Sequence, residues 1–324
     1  MVSINAPVNS PSEVEQIVNA GASEVYCGLI DELWNRKYSP VCAPNRREWR
    51  ESNLKSFREL AQVVRKAHAL DVPVSLAVNA PYFSGSQEKD LIRYVKKAYS
   101  VGVDTIMVAD VGTLLLFSEL GLDVDVSLSS VAGVYNSQAI SFYRGLGVER
   151  AILPRHLSLS EIHSILKSHP DFKFEVFMLF NRCLFSDGLC TFLHGSKEYG
   201  LGRNVCGRKF KVKEMPGGGG NALFEEVFHS PESAPQNFSF QCGMCALYDL
   251  SRWGVYGVKV VGRGKPLWMR EFGVRMLRKI IDHLEEKPSK AIFMRDVRSI
   301  VENTVFADLK RPCNQFNCFF PELI

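Results

Sequence analysis

Five of the nine cysteines fall in one Gly-rich stretch, and their spacing is the strongest chemical signal in the chain. Cys183 follows the apolar run Phe174–Phe180. Cys190 comes after six intervening residues and Cys206 after fifteen more, and Cys242 and Cys245 close the set as a Cys-x-x-Cys pair. Nine thiols cannot all pair within one chain, and a reducing cytoplasm disfavours structural disulfides, so metal binding gains weight. Tetrahedral zinc sites usually draw on two close Cys pairs, whereas only Cys242 and Cys245 are so paired here. Long, uneven spacing suits an iron–sulfur cluster, which takes four thiolates and tolerates wide separation when a rigid scaffold gathers the loops. Zinc stays as the alternative, and so do plain buried thiols. That last reading suits Cys27, inside Val25–Gly28, and Cys42. His194 is the one histidine close to the first three thiols and is a weak candidate ligand. Cys313 and Cys318, in Cys-x4-Cys spacing, fit a metal, a reversible disulfide or packing, with packing the default.

Something rigid must carry this loop, and the rest of the chain supplies it. Short runs rich in Val, Ile or Phe read as strands: Val2–Pro7, Glu24–Leu29, Val72–Asn79, Thr105–Ala109, Val124–Leu128, Arg150–Pro154, Phe172–Leu179 and Gly257–Val261. A punctuation of Gly21, Gly102, Gly121, Gly147 and Gly254 precedes several of them, where a helix C-terminus favours a left-handed residue. Amphipathic helices lie between: Leu54–Leu70, Gln87–Ser100, Gly112–Leu120, Ser137–Leu146, and Leu159–Lys167 behind the capping box Ser158-Leu-Ser-Glu161. Ser10-Pro11-Ser12-Glu13 offers an N-cap for a helix reaching about Asn19.

Eight strand–helix units predict an α/β fold, a (β/α)8 TIM-like barrel with a long cysteine-rich insertion after the seventh strand. An open doubly wound sheet is the alternative, but no G-x-G-x-x-G follows the first strand. We expect one domain over 1–324, with the insertion at 180–250 and a C-terminal helix and tail at 291–324. A structureless loop of the insertion's length is usually functional. Ile30–Asn53, lacking helical periodicity, reads as a second long loop.

In such a barrel the loops after the strands open on one face, where barrel enzymes place their chemistry. That face collects Cys183, Asn79, Asp110, Ser129, Arg155 and Arg263, a polar ring with two guanidiniums suited to a carboxylate-bearing ligand. Helix capping is the plain alternative for Asp110 and Ser129. The net charge of +4, from 39 basic and 35 acidic residues spread evenly, gives no footprint for nucleic acid. The N-terminus lacks a basic region followed by an apolar run, and no stretch approaches the roughly 20 apolar residues of a membrane span. A cytoplasmic protein is expected.

Several of these residues carry a family likeness. Glu175-Val-Phe with Cys183 and Cys190, Leu153-Pro-Arg155-His-Leu-Ser-Leu-Ser-Glu161, Asn136, and Tyr248-Asp-Leu250 through Lys259-Val-Val-Gly262-Arg263 resemble peptidase family U32. The likeness covers nearly the whole chain, and Cys313–Pro321 looks like the tail of a short subgroup. Members bear the label of collagenase-like proteases. Yet they include the UbiU and UbiV pair, which hydroxylate a ubiquinone precursor without dioxygen, and relatives that hydroxylate tRNA uridine or ribosomal RNA cytidine. The resemblance implies a 4Fe–4S cluster and prephenate as oxygen donor. Residue by residue, it makes Cys183, Cys190 and Cys206 the first three ligands and Cys245 the fourth, with Cys242 as the alternative. Prephenate's two carboxylates then give Arg155 and Arg263 a task, with Arg182 a third cation and Asn79 beside them. Nucleic-acid-modifying relatives carry extra C-terminal domains, so a small-molecule acceptor is expected here. A non-catalytic subunit of a heterodimer with a homologous barrel is the second reading. Peptidase is the third: no Ser/His/Asp order, Cys-His signature or H-E-x-x-H helix is recognisable.

Overall fold

Each short apolar run becomes a parallel strand because both its faces are covered, by helices outside and by side chains from opposite strands inside. The computed structural model describes residues 1–38, 43–47, 50–121, 125–180, 183, 186–190, 241–304, 313 and 317–324. Its strands are β1 Ser3–Pro7, β2 Glu24–Gly28, β3 Val74–Val78, β4 Thr105–Val108, β5 Asp125–Leu128, β6 Arg150–Ile152, β7 Lys173–Leu179 and β8 Gly257–Val260. All neighbours pair in parallel in chain order, and β8 returns to β1 with Gly257 opposite Ser3 and Lys259 opposite Asn5. The ring is closed, which excludes the open doubly wound sheet.

The helices are α1 Val14–Asn19, α2 Glu32–Tyr38, α3 Phe57–His68, α4 Glu88–Ser100, α5 Val111–Glu119, α6 Ser137–Arg144, α7 Leu159–Ser168, α8 Leu247–Arg252, α9 Leu267–Glu285 and α10 Lys290–Thr304. Gly21, Gly102, Gly121, Gly147 and Gly254 all take positive φ, as their placement before strands predicts. Side-chain caps hold the helix starts that face the barrel mouth. Asp110 accepts from Thr113 N–H at 2.9 Å, Asn136 from Ala139 N–H at 3.0 Å, and Ser158 forms the predicted capping box with Glu161. Ser158→Ala should cost about 1 kcal/mol of unfolding free energy, read from the urea midpoint at unchanged slope.

Two local expectations need correction. Within Ile30–Asn53 the structure contains α2, anchored by buried Trp34, whose ring meets Tyr38, Phe83 and Tyr94 at 4.9–6.0 Å. One apolar anchor on seven residues is too little periodicity to read. Ser10 makes no side-chain cap, and a 3-10 turn Pro11–Glu13 precedes α1. Glu13 instead accepts from Asn9 N–H at 2.6 Å and pairs with Arg270 of α9, which is itself only 1% exposed. A charge partner 257 residues away overrides the local motif. Among the described residues no helix is long and apolar enough to cross a membrane.

Candidate active site at the barrel mouth

The barrel interior is charged at its base. Arg150 of β6 donates through Nε to Glu175 and through Nη2 to Glu24 of β2, each at 2.5 Å. Asn5 of β1 donates to both carboxylates, at 3.3 and 3.1 Å, and Ser75 of β3 donates to Glu24. Bonds between opposite strands can only cross the lumen, so these residues form one inward layer. Burial and then the like charge of Glu175 raise the Glu24 carboxyl, against the pull of Arg150. Above them Tyr26, Met107, Ile152 and Phe177 make an apolar floor. Lys259 lies over the Tyr26 ring at 3.6 Å. Its Nζ has no hydrogen-bond partner among the described residues. Burial lowers its ammonium to about 8, while Glu175 and Glu24 oppose that shift.

The mouth above this floor is rich in guanidinium. Arg263 follows β8 and reaches over to β2, where its Nη1 would lie 1.8 Å from a Cβ on Gly28, so only glycine leaves it room. Its Nη2 donates to the Asn45 carbonyl at 3.0 Å. Its Nη1 is buried with no hydrogen-bond partner among the described residues. Asn45 is fixed in turn by bonds to Asn53 Oδ1 at 2.7 Å and to the Leu29 carbonyl at 3.2 Å. Arg47 belongs to the same group: burial first, then repulsion from Arg263, Arg155 and Arg46, lowers its guanidinium to about 10. Burial raises the Tyr26 hydroxyl to about 12 although Arg263 and Arg47 act against the rise, so both guanidiniums lie within electrostatic reach of it.

The other predicted residues divide. Asn79 donates to Ser129 Oγ at 2.9 Å and leaves its own buried Oδ1 without a partner among the described residues, so both belong to the mouth. Asp110 is a helix cap. Arg155 is engaged by Asp187, with Nε to Oδ2 at 2.9 Å, Nη2 to Oδ1 at 2.6 Å and its backbone N–H to Oδ2 at 3.1 Å. Burial alone would raise the Asp187 carboxyl, but these bonds and the Arg155 charge hold it below its ordinary value. Tyr135 also donates to the Asp187 carbonyl. Arg155 thus clamps the segment between Cys183 and Cys190, and the Cys183 sulfur lies close enough to act on its charge.

Cys183 and Cys190 are partly exposed. Cys206 and Arg182 lie outside the described residues, as do Cys42 and His194. The two ends of the insertion are pinned together: Phe180 N–H donates to Gln241 at 2.8 Å, Gly243 N–H to Met178 at 2.9 Å, and Leu179 bridges Cys242. Cys183 and the Cys242–Cys245 turn therefore start from one place at the end of β7. Burial pushes the Cys242 and Cys245 thiols up, the latter to about 11, and neighbouring thiols add to the rise. Thiols without histidine are the donor set of an iron–sulfur or a thiolate zinc site. As the side chains stand, no three His, Cys, Asp or Glu among the described residues converge on a point where an ion would sit.

Pattern reading missed Arg47, Asn45 and Asp187 as site residues, because each sits in an irregular loop with no local signal. Lys259 had one, its place in the Lys-x-x-Gly-Arg run, and inward orientation gives that position its meaning.

A closed parallel barrel with thiols and guanidiniums on its C-terminal rim defines a TIM-type protein. The chain belongs to peptidase family U32, whose match spans residues 9–311. It is 26% identical over 324 residues to tRNA hydroxylation protein P of Helicobacter pylori, covering 96% of this chain and 72% of that protein. The protein of the same name from Escherichia coli is 31% identical over 157 residues, covering 47% of this chain; the chain spans only 34% of that protein's length. The solved U32 peptidase Mk0906 aligns with a TM-score of 0.43 at 14% identity, over 55% of this chain and 69% of that one.

Proposed function

We propose that this barrel serves hydroxylation without dioxygen, as an iron–sulfur protein whose mouth binds a small carboxylate oxygen donor of the prephenate type. One observation carries the reading. Arg263 and Arg47 are buried within electrostatic reach of each other and of Tyr26, and Arg263 Nη1 is buried without a hydrogen-bond partner among the described residues. Packing like charges at low dielectric is costly, and an anionic ligand relieves it. Two carboxylates match two planar forks, which bind carboxylate pairwise. Asn79, with its unfilled Oδ1, is placed to accept from a ligand hydroxyl. The names of the relatives support a role in hydroxylation, although the tRNA substrate is theirs; for this chain we favour a small-molecule acceptor.

Cys183, Cys190 and Cys206 would hold a 4Fe–4S cluster, with Cys245 or Cys242 the fourth ligand expected from the sequence. Such a cluster supplies one-electron chemistry and a Lewis-acidic iron. The chain's own residues do the rest. Arg155 and Asp187 fix the loop between the first two ligands, and Tyr26, Met107, Ile152 and Phe177 close the floor to water.

Anaerobically purified protein should be brown and contain iron and acid-labile sulfide. Cys183→Ala should lose the iron, while Cys27→Ala, in a strand on the outer wall, should keep it. A colourless chain holding zinc and no iron would sink the cluster reading.

A further inference from the structure

Branched apolar side chains normally fill the inside of a parallel barrel. Lys259 stands there instead. It pairs in register with Asn5 of β1 and Phe177 of β7, and both of these point inward: Asn5 bonds Glu24 and Glu175 in the lumen, and Phe177 belongs to the apolar floor. Lys259 is only 4% exposed, and its Nζ lies 3.6 Å from the centre of the Tyr26 ring. That ring is fixed by its hydroxyl, which donates to the Val260 carbonyl at 2.9 Å.

The ammonium bonds neither carboxylate of the charged layer. Arg150, Asn5 and Ser75 donate to those oxygens, while Nζ has no hydrogen-bond partner among the described residues. Two more buried atoms share that condition: Asn5 Oδ1, and Ser127 Oγ on β5, opposite inward-facing Met107 of β4. A buried polar atom left unpaired is costly, so the three together point to a polar occupant of the lumen. Charge reaches Lys259 from several elements. Glu175 of β7 and Glu24 of β2 favour its ammonium, and Arg150 of β6 and Arg263 beyond β8 oppose it. Burial has the largest effect and brings it from 10.5 to about 8, so free amine is present near neutral pH. A desolvated lysine of this kind is a nucleophile for carbonyl carbon.

We propose that Lys259 forms an imine with the keto group of a 2-oxo acid that enters through the mouth. The prephenate-type donor carries such an arm, and in this choice of ligand the inference rests on the proposed function. In a 2-oxo acid the keto carbon is bonded directly to the carboxylate carbon, so one small ligand can offer its carboxylate to Arg263 and its keto carbon to Nζ. The amine nitrogen adds to that carbon and forms the N–C bond. The carbonyl oxygen takes the two amine protons and leaves as water, and nothing is oxidised or reduced. Once protonated, the imine restores the positive charge on which Glu24 and Glu175 act.

The test is reductive trapping in the full-length protein, with pyruvate as the smallest 2-oxo acid and borohydride as the reductant. Wild type should gain, once per chain, the mass of the acid less one oxygen, and peptide mapping should place it on Lys259. Trapping should saturate with pyruvate, and its rate should rise with pH and level off above about 8, the behaviour expected of this amine and not of an exposed lysine. Lys259→Arg keeps the charge and removes the nucleophile, and should give no adduct. The mapping on wild type decides the matter even if that variant fails to fold. No adduct, adducts spread over other lysines, or an adduct that survives in Lys259→Arg overturns the proposal. Malonate, a dicarboxylate with no keto group, separates this inference from the reading of the mouth. Malonate that binds while pyruvate is never trapped defeats the imine and leaves the anion-binding mouth standing. Trapping on Lys259 that neither malonate nor Arg263→Met slows upholds the imine and defeats the mouth reading.

Discussion

Arg150→Met should destabilise the barrel by about 3–5 kcal/mol, the usual cost of leaving buried charge without its partner. Among the described residues Arg150 is the cation that bonds both Glu24 and Glu175, and each carboxylate is at most 2% exposed at its side chain. Burial alone would lower the Arg150 guanidinium, but Glu175 and Glu24 more than reverse that and hold it charged. Methionine fills the volume and removes the charge, so two carboxylates are left in the lumen with Lys259 still within electrostatic reach of both. The loss depends on pH in a defined direction. Glu24 is already raised by burial and by Glu175, and losing Arg150 removes the charge that lowers it, so its contribution is intact below the unfolded value and is lost as pH rises through the folded one. The deficit against wild type should therefore be smaller at about pH 5 than at about pH 8. Adding Glu24→Gln should recover part of it at the higher pH. Equal deficits at both pH values would mean that Arg150 acts through packing, and the charged-layer account would fail. Denaturant midpoints for the single and double variants decide between the two.

The barrel was legible because its signals are local and repeated. Eight apolar runs, five glycines that do take left-handed φ, and the Ser158–Glu161 box each report on a few neighbouring residues. Strand ends were read one or two residues long, as at Val72–Asn79 against Val74–Val78, because Val72 and Pro73 extend the apolar run although the Val72 N–H turns back to the Ala67 carbonyl at the end of α3. The mouth was legible only where a strand end named a residue, as for Asn79, Arg155 and Arg263. Its electrostatics were not. That Arg155 faces an aspartate 32 residues on, or that Arg263 crosses to Gly28, depends on loops meeting over a closed ring, and no sequence window spans that. The same limit applies to Cys313 and Cys318, whose spacing is silent until Cys318 is seen bridged to Cys242.

Arg263→Met should move ligand affinity and stability in opposite directions. Removing one fork from a carboxylate should weaken binding of a prephenate-type dicarboxylate by about 2–4 kcal/mol, roughly 30- to 1000-fold in Kd. Measured without ligand, the same variant should unfold later than wild type. It deletes a buried Nη1 that lacks a partner among the described residues and relieves the repulsion that lowers Arg47. A gain of about 1 kcal/mol is the scale seen when a functional group held at a stability cost is replaced. Gly28→Ala separates position from charge. Its Cβ would fall 1.8 Å from Nη1 and 2.5 Å from Asn53 Oδ1, so the guanidinium must leave its place beside Gly28 while remaining in the protein. This variant should lose affinity without gaining stability. A structural arginine would behave otherwise, since Arg263→Met would then unfold earlier and leave any residual binding unchanged. Calorimetric titration with the dicarboxylate, beside thermal unfolding of both variants, tests the two signs together, and a loss of stability in Arg263→Met would remove the reason for assigning the mouth to an anion.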